Sequence, residues 1–120
     1  MTTHGQNIEL YQGDNVNIII TVVDDNNQIL NLTGYNVVWC LHEQTTEQVI
    51  LQKTTSPGEG ITVPDPTNGE ILIPLLQDDT AEMTPKIYGH QCEIEDSSGN
   101  HSTVTTGYLK LFKSITHHAF

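Results

Sequence analysis

At 120 residues and 13.3 kDa the chain is the length of one ordinary domain, and its 36% hydrophobic content is enough for a single core. Fifteen acidic residues against four basic give a net charge of −11, which phosphate backbones and anionic lipid surfaces repel, so direct nucleic-acid binding is the class most disfavoured. The longest apolar runs, such as Ile18 to Ile20, are too short to span a bilayer, and Met1 to Gln6 has neither the basic nor the apolar part of a secretory signal.

The dominant period along the chain is two, and the polar residues are mostly uncharged Thr, Asn, Gln and Ser, a mix suited to half-buried strands. Residues 7–11 alternate until Gly13-Asp14. Val16 to Val23 is β-branched almost throughout and reads as a central strand, closed by the turn cluster Asp24-Asp25-Asn26-Asn27. Ile29 to Leu32 is a brief apolar return before Thr33-Gly34. Tyr35 to His42 and Gln48 to Thr54 are the next two strands, and Ser56 to Gly60 is a turn. A short strand over Ile61 to Val63 precedes Asn68-Gly69. Glu70 to Leu76 then places Ile71, Ile73 and Leu75 on one face, with Pro74 requiring an edge or an end. Gln77 to Thr84 breaks the pattern and reads as a single helical turn stopped by Pro85. Lys86 to Asp96 and Ser102 to Lys113 are the last strands, around the turn Ser97 to Asn100. Seven to nine short strands at this spacing predict an all-β, single antiparallel β-sandwich over residues 7–113, with a flexible segment at 1–6 and a tail at 114–120.

Each residue type with chemistry has an ordinary structural explanation. Val37, Trp39 and Leu41 are the apolar set of their strand, so Cys40 points outward; Tyr88, His90, Cys92 and Ile94 share the inner face of theirs. A bridge between Cys40 and Cys92 is therefore excluded, and both are expected to be free thiols. None of the six histidines has a metal-ligand spacing; His90 is expected to be a hydrogen-bonded core histidine, and His117-His118 part of a polar tail. Asp24, Asp25, Asp65, Asp78, Asp79 and Asp96 could offer oxygens to calcium, but the order of an EF-hand loop is absent and turn chemistry accounts for them. Asn31-Leu32-Thr33 and Asn100-His101-Ser102 match the glycan acceptor pattern, which means little without a signal peptide. Trp39 is the expected central aromatic. Tyr11, Tyr35 and Tyr108 are the aromatics that could supply a sugar platform. No catalytic residue, cofactor site or metal site is assigned.

Several segments together carry a resemblance. Ile8 to Asp14 leads into Ile18 to Asp25; Leu30 to Val37 contains Leu32-Thr33-Gly34; Gly60 to Val63, Asn68 to Ile71 and Asp79-Thr80 follow, and Glu95 to Asn100 closes the series. This resembles the immunoglobulin-like β-sandwich module of tailed-phage structural proteins, as in the N-terminal domain of baseplate upper proteins, over about Ile8 to Leu111. The resemblance implies a non-enzymatic virion protein, assembled in the host cytoplasm and acting through protein–protein contacts. It would serve as a capsid decoration (cement), neck, or tail or baseplate component. The implied partners are capsid or tail subunits and further copies of the chain, without nucleic acid, membrane or cofactor. Ala119 and Phe120, the apolar end of the tail, are the candidate partner contacts. The alternative is a carbohydrate-binding or bacterial-surface adhesion sandwich.

Overall fold

Strands form where β-branched residues alternate with polar ones, and turns where Gly, Asn and Asp cluster. The computed structural model describes residues 4–115. Among these, eight strands run in chain order: β1 His4–Gly5, β2 Ile8–Tyr11, β3 Val16–Thr21, β4 Asn36–His42, β5 Val49–Thr54, β6 Glu70–Leu75, β7 Ile87–Glu95 and β8 His101–Phe112. The expected helical turn is α1, Gln77–Thr80, and a 3-10 turn spans Pro66–Asn68. The chain is all-β, as its alternation predicts.

Six strands make one sheet in the order β1-β8-β7-β4-β5, with β2 following β1 along the same side of β8; β3 and β6 pair as a second, two-stranded sheet. The pairings β3–β6, β4–β5, β4–β7 and β7–β8 are antiparallel. The N-terminal strands depart from the expected antiparallel scheme, because β1 and β2 both run parallel to β8. They reach β8 from the far end of the chain, so no hairpin dictates their direction. Pairing also begins at His4, earlier than the boundary expected at residue 7.

The inner faces of both sheets feed one apolar cluster. It takes Ile18 and Ile20 from β3, Ile71, Ile73 and Leu75 from β6, and Val37, Trp39 and Leu41 from β4. Tyr88, Cys92 and Ile94 of β7, Val104, Leu109 and Leu111 of β8, and Leu10 of β2 join it, with Val22, Leu32 and Ile61 from the loops. Trp39 is fully buried at its centre. Register keeps the strand residues inside, since a slip by one position would turn every one of them to water.

The expected strand over Ile61 to Val63 is reduced to a single bridge, and the apolar return at Ile29 makes another. Ile29 pairs with Val23, and Thr62 with Leu72, each as an isolated contact. Gly69 packs against the chain beside the first of these bridges. This residue is left-handed (φ 64°), and a Cβ there would lie 2.8 Å from the carbonyl oxygens of both Val22 and Leu30. Only glycine fits that approach.

Candidate contact surface

Four polar side chains are buried among the described residues, Lys53, Thr80, His90 and Thr105, and two of them, Lys53 and His90, tie separate parts of the chain together through ionisable groups. Lys53 of β5 faces inward opposite Trp39 of β4. Its Nζ sits 3.0 Å from Asp79 Oδ2, with side-chain exposures of 10% and 19%. That carboxylate also accepts from the Leu76 backbone N–H at 2.7 Å, capping α1. One carboxylate thus joins the edge of the large sheet to the segment that follows β6. His90 of β7 is buried, accepts at Nδ1 from Trp39 Nε1–H at 3.2 Å, and meets the Gln6 carbonyl through Nε2. Both roles match the expectation of a satisfied core histidine. Burial holds its proton affinity below that of an ordinary histidine.

The outer face of the large sheet is divided by charge. At one end Glu93 and Glu95 of β7 flank His101 of β8. Its Nδ1 lies 3.0 Å from Glu93 and its Nε2 3.0 Å from Glu95. Asn36 Nδ2 donates to Glu95 at 3.3 Å. These side chains, with Val38, Thr54, Thr55 and Ser56, border an open cleft of about 290 Å³. At the opposite end Tyr11 of β2 packs on Phe112 of β8, ring centroids 5.1 Å apart, and Lys110 Nζ lies 5.0 Å over the Phe112 ring. Tyr11 is half exposed, and Ile87 is exposed on the adjoining strand. Of the other exposed apolar side chains, Val49 and Ile50 sit on β5, which ends the large sheet, and Ile19 on β3, while Ile29, Leu76 and Ile115 lie outside the strands. A strand at a sheet end offers backbone groups to another chain.

The residues singled out in the sequence are dispersed. Ala119, Phe120, His117 and His118 lie outside the described residues. Cys92 is buried and Cys40 half-buried on the opposite face, both free. Burial pushes the Cys92 thiol up to about 12 and also raises that of Cys40, with Glu93 adding to the latter. Asp24, Asp65 and Asp96 each serve their own turn. Asp24 accepts from the Asn26 and Gln28 N–H groups, Asp65 from Thr67, and Asp96 from Ser98 and Asn100. Those bonds, that from Asn100 foremost, hold the Asp96 carboxyl below the usual range. Among the described residues no three His, Cys, Asp or Glu side chains converge as a metal site would require. Tyr35 packs against the core and Tyr88 is buried, its hydroxyl donating to the Thr84 carbonyl, so neither forms a platform. The Glu93–His101–Glu95 group escaped the sequence reading. Two glutamates two apart on a strand are an ordinary polar face, and only the β7–β8 register sets His101 opposite Glu95.

No family model matches the chain, and no curated protein matches it. Among solved structures it is similar to the N-terminal domain of phage TP901-1 ORF48 at 17% identity. That likeness covers 94% of this chain and 100% of the matched chain, with a TM-score of 0.61. At that identity what is shared is the fold.

Proposed function

We propose that the chain is a non-enzymatic structural module of a tailed bacteriophage virion, working by protein–protein contact in the tail or baseplate. The likeness of fold to the N-terminal domain of a phage protein carries this reading, because it covers 94% of this chain and all of the matched chain. The sheet order supports the finer description of an immunoglobulin-like sandwich. In that scheme the pair β3–β6 faces the sheet β8-β7-β4-β5, and the N-terminal strands join β8. The surface fits a part that docks: exposed apolar side chains lie on the outer strands β5 and β3, and the acidic excess favours a basic partner surface. Several copies per particle would follow from virion symmetry.

The test is fractionation of particles from a host carrying this gene. Particles are banded by density, probed with antibody to the chain, and imaged with the antibody bound. The reading expects the chain in the particle band and label at the tail. Its absence from washed particles, with free protein at the top of the gradient, overturns the reading. A second reading, carbohydrate binding, is favoured by one observation, the exposed Tyr11 packed on the half-buried Phe112; aromatic faces are what sugar rings stack on. Binding on a glycan array that Tyr11→Ala abolishes would support it.

A further inference from the structure

We propose that His90 is a proton-operated latch on the N-terminal strand: neutral, it ties Gln6 to the core, and on taking up a proton it lets residues 4–6 leave β8. The geometry fixes the tautomer from both ends. An indole N–H can only donate, so the His90 nitrogen facing Trp39 Nε1, Nδ1, carries no hydrogen. The remaining nitrogen, Nε2, then carries the hydrogen and donates to the Gln6 carbonyl. A second proton can enter only at Nδ1. There it would set two donors face to face, beside an indole that is 0% exposed and has no water to turn to.

The Gln6 carbonyl, accepting from Nε2–H, favours the cation, but burial outweighs it and the other surroundings add no relief. Tyr88 and Cys92, its neighbours on the inner face of β7, are both kept neutral by burial. From β4 the charge that acts on it is that of His42, which further disfavours the proton. Residues 105 and 107 of β8 are Thr and Gly, and the inward residues of β3 and β6 are Ile18, Ile20, Ile71, Ile73 and Leu75. Relief therefore comes from water admitted where residues 4–6 now cover the ring, which ends the burial and takes the place of the Gln6 carbonyl as acceptor.

That cover is the most lightly held part of the sheet. β1 is two residues long and pairs only with Thr105 and Thr106. Gln6 N–H donates to the Thr106 carbonyl at 2.8 Å, and the Asn7 side chain accepts from the Tyr108 N–H. The Gln6 carbonyl passes so close over Gly107 that a Cβ there would lie 2.0 Å from it. Release would uncover the backbone of β8 around Thr105 to Gly107, an unpaired strand edge. The sign follows from linkage. The closed form binds the proton less well than the open one, so the latch is fully shut above the ordinary histidine value. It loosens as pH falls below it. If the open form titrates near 6.5, opening becomes up to about thirtyfold more frequent at pH 5 than at pH 7.5.

The test is amide hydrogen exchange followed by NMR from pH 7.5 to 5, corrected for intrinsic rates. Protection of the Gln6 amide should fall by at least about tenfold while the Trp39 and Ile94 amides hold. His90→Gln keeps one donor and one acceptor but cannot titrate, and its Gln6 protection should be flat with pH. Ring ¹⁵N shifts of the wild-type protein give a reading that needs no variant: an Nε2–H tautomer at neutral pH, titrating together with the loss of protection. Unchanged Gln6 protection, equal loss at Trp39 and Ile94, the same acid response in His90→Gln, or an Nδ1–H tautomer would each overturn the latch.

Discussion

Replacing Lys53 by Met removes the cation from the ion pair that joins β5 to α1. The Lys53 side chain is packed inward and only one-tenth exposed, so Met fills nearly the same space and the change is mainly electrostatic. Breaking a fully buried pair costs about 3–5 kcal/mol because a charge is left uncompensated. Asp79 keeps a fifth of its side chain in water and keeps the Leu76 N–H, so the cost here should be lower, about 2 kcal/mol. For a domain of this length that lowers the melting temperature by roughly 6–10 °C. Asp79→Asn strands the lysine instead and should cost a similar amount. The double variant should cost clearly less than the two singles together, with a coupling of about 1–3 kcal/mol by urea denaturation monitored through Trp39 fluorescence. Additivity of the singles within about 0.5 kcal/mol would refute the reasoning, because it would mean that the two charges do not feel each other.

Gly107→Ala should displace the N-terminal segment and destabilise the fold by about 1–3 kcal/mol, since the His90 donor loses its acceptor; a melting temperature equal to that of the native protein would contradict the close approach. In native protein at pH 8 a thiol reagent should label Cys40 slowly and Cys92 only after unfolding, read by intact mass; equal labelling of both would contradict their placement on opposite faces. The Asp96 carboxyl titrates lower folded than unfolded, so its contribution is present above the ordinary aspartate value and is lost as pH falls through the folded one. Asp96→Asn should therefore flatten the acid limb of the stability profile below about pH 4, and an unaltered limb would count against the turn bonds.

Alternation and turn residues alone set the class of fold and most of its inner face. Strict alternation in Val37-Val38-Trp39-Cys40-Leu41 and in Tyr88 to Ile94 decides which side chains meet the core, and so it also decides that the two cysteines part. The turns were legible because Asp24, Asp65 and Asp96 bond backbone within a few residues of themselves. Local chemistry of that kind needs no knowledge of the rest of the chain. What lay beyond reach was everything set by pairing between distant segments. The parallel docking of β1 and β2, the seat of Gln6 over Gly107, the Lys53–Asp79 pair and the His101 bridge each join residues that no periodicity relates. Register and the crossing between sheets choose those partners. Both follow from how two apolar faces close on one another, a condition satisfied by the whole chain and by no single stretch of it.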